Sequence, residues 1–463
     1  MRVSIIVMTP FGKAFVAQPI MNSSPDTIAI ERKRALDEIE HGDAKAGLIR
    51  LKALRDDDPY NPSLASEYLY LLHFAHLSPE ALALEHRRYG ERFEPAGKIA
   101  MRPYPWKSNG KIRLGYLSPD LYGQASHYVI LPILSHHDRS RFEIYVYSTH
   151  SAYDDYTRAV REHADAWRVA DHHNYEYLRT LILADEIDIL IDLAGHTGLN
   201  SLPVFAERVA PIQVSWFGYM DTTGLVNMDY RFTDPMRVPH GSDSRYSEKL
   251  IYLNNSYTFI TLEKNIPRAK HTERPFTFGS FNSVYKINDQ VLDLWGEILR
   301  AVPASRLVIS ACPDFEYASK IKEFFLNKGI SIDRIEPRPR MSLRNFLESM
   351  NDIDIALDPF PYTGGVTTYH TLSQGVPTIT LEGNTEYERN CAAILREAGL
   401  SDWIAQTPQE YVTKAISFSH QRDLLGALRN SLPLELESRE GSIVPEVEKR
   451  FEEMMERKRA ENS

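Results

Sequence analysis

The chain has 463 residues, of which 43% are apolar and 25% charged, and its 53 basic and 63 acidic side chains leave a net charge of −10. This length predicts two or three domains, and the acidic balance lacks the excess of lysine and arginine with which proteins neutralise nucleic acid phosphates. Two cysteines, Cys312 and Cys391, are too few for a disulfide framework, and no apolar stretch is long enough to cross a bilayer, so we expect a cytoplasmic protein that binds no nucleic acid.

The N-terminal part changes from an unpatterned stretch to helices. Residues 1–25 show no clear period and are interpreted as an N-terminal arm, whereas residues 26–100 carry apolar side chains at helical spacing. Gly42 separates the first two helical runs, and Pro62 and Pro79 each begin another. Paired helices of this spacing resemble tetratricopeptide units, although a plain helical cap predicts the same pattern.

Strands and helices alternate through residues 110–265 and again through residues 275–435, with a charged linker between them. Such alternation is typical of parallel sheets covered on both faces, so the sequence predicts two tandem Rossmann-like α/β domains that enclose a cleft. A last helix is predicted at Pro445–Arg459, within residues 440–463. The predicted strands are Lys111–Ser118, Phe142–Ser148, Ile187–Leu193, Pro211–Phe217, Asp229–Thr233, Phe276–Phe281, Arg306–Ser310, Ile353–Leu357 and Pro377–Leu381. The predicted helices between them are Ala125–His137, Tyr156–Ala164, Tyr175–Ala184, Asp289–Val302, Asp314–Asn327, Ser342–Met350, Glu386–Ala398, Thr407–Phe418 and Arg422–Asn430.

A glycine-rich turn in the second domain is the strongest candidate binding feature. It follows a predicted strand and contains Gly364 and Gly365, after which a helix begins with Val366, Thr367 and Thr368. Parallel sheets bind ligands at the carboxyl ends of their strands, and amides at a helix N-terminus attract phosphate. We therefore predict a phosphate-binding turn with two threonine hydroxyls as additional donors. The alternative is that the two glycines only reverse the chain.

Lys286 is the candidate counter-charge for that phosphate. It ends the turn that begins at Phe281, between a predicted strand and a predicted helix, and a lysine in such a turn can neutralise phosphate as a point charge. A solvated surface lysine is the alternative. The pair Asp352 and Asp354 resembles the paired acids of metal-dependent sugar transferases, but it leads directly into an apolar strand without further acids or histidines. We therefore predict no metal site.

Two histidines stand in turns at strand ends of the first domain. His196 lies between Gly195 and Gly198, where the glycines let a substrate approach the backbone closely, and His127 follows the turn after Ser118. Either imidazole can exchange a proton near neutral pH. A structural role is the more common one for a lone histidine.

Several segments of the sequence together point to one protein family. They include IRLGYLSPD, DLAGHTG, FGSFNSVYKI and LDPFPYTGGVTTYHTLSQGVPTITL. In order, from Lys111 to Ala405, they resemble the catalytic region of the O-linked N-acetylglucosamine transferases and their bacterial and plant relatives. The resemblance implies a GT-B fold and a metal-independent glycosyltransferase. It also implies no bound cofactor but a nucleotide-sugar co-substrate, UDP-N-acetylglucosamine foremost, and a protein acceptor modified on Ser or Thr, with homo-oligomers left open.

The resemblance also implies roles for individual residues. Lys286 corresponds to the lysine that contacts the diphosphate and stabilises the departing group. His196 corresponds to the histidine at the sugar site, and His127 is a second candidate for orienting the acceptor hydroxyl. Arg389 corresponds to an arginine on the nucleotide side. The turn that wraps the diphosphate corresponds to Gly364, Gly365, Val366, Thr367 and Thr368.

The chain departs from this family at four positions. Gln124 stands where relatives carry a histidine near the acceptor, and His370 where an acid contacts the ribose. Phe346 replaces a histidine that stacks on the base, which an aromatic ring can still do, and Ser283 replaces a polar amide. These differences leave two alternatives open: a GDP-fucose-dependent protein O-fucosyltransferase, and a helical-repeat adaptor whose catalytic region has decayed.

Overall fold

The computed structural model describes residues 6–8, 14–16, 25–75, 77–95, 110–123, 127–256, 274–437 and 442–461. Within the stretch interpreted as an unpatterned arm, β1 (Ile6–Met8) pairs antiparallel with β2 (Ala14–Val16). Gln124 and most of the charged linker lie outside the described residues. Of the helices in the described part of the chain, none combines the length and the apolarity that spanning a membrane requires.

Four helices, each packed on the next, precede the first sheet. They are α1 (Pro25–Glu40), α2 (Ala44–Asp57), α3 (Pro62–Leu72) and α4 (Pro79–Phe93). The side chains of Asp43, Asn61 and Ser78 accept hydrogens from first-turn amides and so begin three of the helices. The buried apolar residues of these helices form one core with residues of the first α/β domain, such as Leu117 and Leu178. Their assignment as tetratricopeptide units stays a prediction.

Seven parallel strands form the first sheet. They are β3 (Ile112–Ser118), β4 (Phe142–Ser148), β5 (Ala166–Val169), β6 (Ile189–Asp192), β7 (Ile212–Ser215), β8 (Tyr230–Thr233) and β9 (Lys249–Tyr252). The helices between them are α5 (His127–His136), α6 (Asp155–Arg161), α7 (Tyr175–Asp185) and α8 (Leu202–Ala206). The strand order is β5-β4-β3-β6-β7-β8-β9, so the chain runs outward from β3 and then crosses to β6. The carboxyl ends of β3 and β6 therefore form a topological switch point.

Six parallel strands form the second sheet. They are β10 (Thr277–Ser280), β11 (Arg306–Cys312), β12 (Ile335–Pro339), β13 (Ile355–Leu357), β14 (Thr378–Leu381) and β15 (Ile404–Ala405). The helices are α9 (Asp289–Ala301), α10 (Phe315–Asn327), α11 (Leu343–Ser349), α12 (Val366–Ser373), α13 (Glu386–Glu397), α14 (Pro408–Ser419) and α15 (Arg422–Glu437). The order β12-β11-β10-β13-β14-β15 places the second switch point between β10 and β13.

The last helix, α16 (Val444–Glu461), packs against the first domain. The Glu448 carboxylate is bonded to the Asp138 amide at 2.7 Å and to His137 Nδ1 at 2.9 Å. The Phe451 ring lies 5.5 Å from that of Phe232 on β8. The helix α16 thus returns to the first α/β domain, although it follows the second α/β domain in the chain.

The predicted architecture of two doubly wound domains behind a helical segment is confirmed, but the four edge strands escaped prediction. These are β5 and β9 in the first sheet and β12 and β15 in the second. An edge strand pairs on one side only and tolerates charged residues and proline, so it lacks the continuous apolar run that reveals a central strand. The short helix α8 was also not predicted, and the predicted end of α15 at Asn430 is wrong, because the helix continues through Pro433 to Glu437.

Candidate active site

Two turns meet at the switch point of the second sheet. The turn after β10 carries Lys286, and the turn after β13 leads through Gly365 into α12. Because β10 and β13 pair directly, with Gly279 opposite Ala356, the two turns emerge side by side. This is the position at which open α/β sheets bind ligands.

The ammonium group of Lys286 is enclosed by these turns. Its Nζ donates to the Thr363 carbonyl at 2.8 Å and to Asn282 Oδ1 at 3.2 Å, and it lies 4.7 Å from the centre of the Tyr362 ring. Burial lowers the pKa of Lys286 to about 8, while the Asp358 carboxylate opposes that shift. An ammonium group that has lost water in this way gains strongly when an anion enters the site.

Asp358 lies at the base of the same turn and organises it. Its buried carboxylate accepts hydrogens from the Gly364 amide at 2.8 Å, from Asn282 Nδ2 at 3.2 Å and from Thr380 Oγ1 at 2.7 Å. Burial raises the pKa of Asp358 to about 6, against the opposing effect of Lys286. Asn282 thus connects the two charged groups. Sequence reasoning did not include Asp358 or Asn282 in the site, although Asp358 directly follows β13 and Asn282 comes one residue later after β10.

The first turn of α12 offers amide hydrogens to an anion. Among the described residues, the amides of Gly365, Val366 and Thr367 find no hydrogen-bond acceptor. A Cβ added to Gly365 would lie 2.8 Å from Asn390 Nδ2, so a larger residue here would displace the Asn390 side chain beneath this turn. The three amides and Lys286 together form a positive site at the end of a helix, as phosphate recognition requires.

The two threonines predicted as additional donors differ in their surroundings. Thr367 is half-buried, whereas Thr368 is buried and its hydroxyl donates to Cys391 Sγ at 3.4 Å. A Cβ on Gly364 would lie 2.4 Å from Thr368 Oγ1, which shows how closely this threonine packs under the turn. The geometry therefore favours Thr367 as the donor to a ligand and gives Thr368 a supporting position.

His370 and Phe346 lie together beside the start of α12. Their ring centroids are 6.1 Å apart, and the ring of Tyr128 on α5 approaches His370 edge-on at 5.0 Å. Burial lowers the pKa of His370 to about 4, so its imidazole is neutral at physiological pH. Ser283 is exposed in the turn before Lys286. Contacts of these side chains with ribose and base stay predictions.

Arg389 joins the two domains in this structure. Its Nε donates to the carbonyl of Met236 in the first domain at 2.9 Å, and its Nη2 pairs with Glu382 at 2.8 Å. Burial lowers the pKa of this guanidinium from its usual value. Its predicted contact with the nucleotide stays a prediction.

Buried charges on α13 fasten the two domains together, and sequence reasoning missed them. Arg231 on β8 pairs with Glu386 at 2.8 Å, and both side chains are fully buried. Arg237 donates to Asn390 at 2.9 Å and pairs with Glu397 at 3.0 Å. Removing one partner of such a pair leaves a buried charge without compensation, so these contacts fix the angle between the domains and hence the width of the cleft.

The two candidate histidines of the first domain are both buried. His196 is 1% exposed, with Nδ1 at 2.9 Å from the Ser66 hydroxyl and Nε2 at 2.9 Å from the Thr223 carbonyl. Burial, aided by His86, lowers its pKa well below the usual value. The His127 ring packs edge-on against Tyr156, with centroids 4.5 Å apart. In this arrangement both His196 nitrogens are engaged by protein groups, and its role at the sugar stays a prediction.

Comparison with known proteins identifies the family of this chain. The model of glycosyl transferase family 41 matches residues 97–274 and 267–448. The chain belongs to glycosyl transferase family 41. The resemblance to O-linked N-acetylglucosamine transferases inferred from the sequence is thereby confirmed.

Two plant relatives and one solved structure describe its place among family 41 proteins. It is 34% identical over 369 residues to a tomato (Solanum lycopersicum) protein named "Probable UDP-N-acetylglucosamine--peptide N-acetylglucosaminyltransferase SPINDLY", covering 75% of this chain and 39% of the relative. The SEC protein of Arabidopsis thaliana is 27% identical over 354 residues, covering 73% of this chain and 36% of the relative. The chain thus spans 39% and 36% of the length of these two relatives.

The structure of this chain resembles the solved structure of a mutant O-GlcNAc transferase of Thermobaculum terrenum. The TM-score is 0.88 and the sequence identity is 30%. The match covers 94% of this chain and 85% of the Thermobaculum chain. Two parallel-sheet domains behind a helical segment are consistent with the GT-B arrangement expected for family 41.

Proposed function

We propose that this family 41 chain transfers N-acetylglucosamine from UDP-N-acetylglucosamine to Ser or Thr hydroxyls of a protein acceptor, with no metal ion taking part in the chemistry. The observation that carries the proposal is the meeting of the Lys286 ammonium with the available amides of α12 at one switch point. The plant relatives are named as peptide N-acetylglucosaminyltransferases that use UDP-N-acetylglucosamine, which supports the donor and the acceptor class.

The proposed chemistry places charge where these donors are. Breaking the bond between the anomeric carbon and the diphosphate oxygen leaves negative charge on the diphosphate, while the acceptor oxygen forms the new bond and loses its proton. Lys286, the Thr367 hydroxyl and the amides of residues 365–367 are fixed before the reaction begins. Removing one preorganised donor of this kind costs about 3–4 kcal/mol of transition-state stabilisation.

The lowered pKa of Lys286 suits this task. At pH 7 a lysine with a pKa of about 8 is mostly protonated, and an incoming diphosphate favours the charged form further. The Asn282 side chain bridges Asp358 and the Lys286 ammonium group. Asp358 therefore favours the charged form of Lys286 without neutralising its charge completely.

We propose that the acceptor polypeptide enters between the helical segment and the sugar site, and that His127 orients its hydroxyl. His127 begins α5 and follows the turn at the carboxyl end of β3, which supports this position. We place the reaction in the cytoplasm, because Cys312 and Cys391 are buried free thiols and suit a reducing compartment.

A donor panel tests the proposal. The chain is incubated with UDP-N-acetylglucosamine, UDP-glucose or GDP-fucose and candidate acceptor peptides, and both nucleotide release and peptide mass are measured. We expect release and modification with UDP-N-acetylglucosamine, and their loss in Lys286→Met. Exposed Lys320 on α10 provides the matched control, Lys320→Met, which we expect to retain activity.

The same panel separates the alternatives. Turnover of GDP-fucose alone would establish a fucosyltransferase instead. Absence of turnover with every donor, in a wild-type chain that still binds UDP, would support a decayed adaptor.

A further inference from the structure

Two histidines and an aspartate converge where the helical segment meets the first α/β domain. His73 follows the end of α3, His86 lies on α4, and Asp221 lies in the loop between β7 and β8. One ring nitrogen or carboxylate oxygen from each lies within 4.8 Å of the other two. His73 and His86 are at most 1% exposed and Asp221 is 8% exposed, so the three groups face one another away from bulk water.

Backbone carbonyls fix which nitrogen of each imidazole carries the proton. His73 Nδ1 lies 3.0 Å from the Tyr70 carbonyl, and His86 Nδ1 lies 2.8 Å from the Leu82 carbonyl. A carbonyl oxygen can only accept a hydrogen, so both Nδ1 atoms are donors. In a neutral ring the Nε2 atom then presents its lone pair, which is the arrangement that metal-binding histidines show when a second group orients them.

The two Nε2 atoms have different partners. His86 Nε2 lies 2.7 Å from the Tyr219 hydroxyl, which can donate to it, so a bound metal would take the place of this hydrogen bond. His73 Nε2 is buried, makes no hydrogen bond among the described residues, and lies 3.4 Å from Asp221 Oδ2. A lone pair facing a carboxylate is repulsive unless a proton or a metal ion lies between them.

We propose that His73, His86 and Asp221 bind a divalent transition-metal ion, zinc foremost, that fastens the helical segment to the first α/β domain. Two imidazoles and one carboxylate are a frequent zinc donor set, in which water takes the fourth position. Two ligands on a tetrahedral zinc lie about 3.3 Å apart, so the three side chains need to close by about 1.5 Å at most. This inference departs from the prediction that the chain holds no metal.

The site is separate from the diphosphate site but lies next to it. The His73 ring packs edge-on against Tyr362, with centroids 5.9 Å apart, and Tyr362 is the ring under the Lys286 ammonium. A metal here would therefore stiffen the wall behind Lys286 without touching the diphosphate.

The test measures zinc itself. The full-length protein is stripped of metal, re-equilibrated with Zn²⁺ alone and desalted, and its zinc content and melting temperature are measured. We expect one tightly held ion per chain and a melting temperature that rises by several degrees with zinc, because a ligand that binds only the folded state stabilises it. Cobalt in place of zinc is expected to give the visible absorption of a tetrahedral site.

Matched variants locate the ion. In His73→Gln and in Asp221→Asn, which keeps the shape of the side chain, we expect the tight ion and the zinc-dependent rise to be lost. Exposed His420 provides the control variant His420→Ala, and His173→Ala removes a ligand from the exposed group of Asp171, His172 and His173.

Two outcomes would overturn the proposal. One is a wild-type protein that holds no tight zinc and melts at the same temperature with and without it, which would indicate that a protonated His73 pairs with Asp221. The other is loss of zinc in His173→Ala but not in His73→Gln. Neither readout uses a sugar nucleotide, so failure here leaves the proposed transferase function untouched, and failure of that function leaves this test valid.

Discussion

The chain contains two glycine-bearing turns at the carboxyl ends of central strands, and the structure gives them opposite surroundings. Around Gly365 in the second domain, three amides and a lysine with a lowered pKa have capacity to bind an anion. Around His196 in the first domain, Ser66 of the helical segment and the Thr223 carbonyl engage both ring nitrogens. Similar local sequence patterns therefore mark one turn whose amide donors are unused and one turn whose histidine already has both ring nitrogens hydrogen-bonded.

A turn at a strand end is therefore open to a ligand only if no other part of the chain covers it. The helical segment packs over the turn of the first domain, whereas α13 supports the turn of the second from below through Asn390.

Lys286→Met should separate activity from stability most clearly. We expect kcat to fall by about 10²–10³-fold, because one preorganised donor to the developing charge is removed. The melting temperature should be unchanged or higher, since a buried ammonium is replaced by an apolar side chain of similar length. Steady-state kinetics and thermal unfolding check both, with Lys320→Met as the control, and an active Lys286→Met variant would contradict the site.

His196→Ala should show the reverse pattern. We expect the free energy of unfolding to fall by about 2–4 kcal/mol, because the substitution leaves a cavity and unpaired polar groups between the helical segment and the first domain. The kcat of the folded protein should change little. Denaturant unfolding measures the first quantity, with His420→Ala as the control. A large drop in kcat at unchanged stability would instead support the predicted role of His196 at the sugar.

Thr367→Val tests whether the two adjacent threonines differ. We expect kcat/KM to fall about tenfold, the effect of losing one hydrogen bond to a charged ligand, with stability nearly unchanged because Thr367 is half-buried. Thr368→Val should instead lower stability, since its hydroxyl bonds Cys391 in the core. Equal kinetic effects of the two substitutions would show that both hydroxyls reach the ligand.

The pH dependence of kcat/KM gives the finest test. Lys286 is active when protonated, and it loses its proton as the pH rises through about 8, so kcat/KM should fall above that pH. Asp358 favours the charged lysine, so Asp358→Asn should move this alkaline decline to lower pH. Lys286→Arg, if active, should remove the decline from the accessible range, since arginine does not titrate there. An unchanged decline in Lys286→Arg would assign it to another group.

Much of the fold could be predicted because central strands have a recognisable local sequence pattern. Each carries a continuous apolar run bounded by turn residues, as in Ile353–Leu357, and parallel strands buried on both faces must have that pattern. The four edge strands have no such requirement and were missed. The candidate anion site rests on the same local pattern, since Gly364, Gly365 and Lys286 stand in turns that follow central strands, and its role stays a prediction.

The alternating architecture, the family resemblance and the candidate phosphate-binding turn can be read from the sequence, because each depends on residues that are neighbours in the chain. The hydrogen bonds on both His196 nitrogens, the orientation of Thr368 into the core, and the convergence of His73, His86 and Asp221 appear only in the folded chain. These outcomes depend on groups far apart in sequence, such as Ser66 and His196, and long-range packing alone determines which polar groups become buried together.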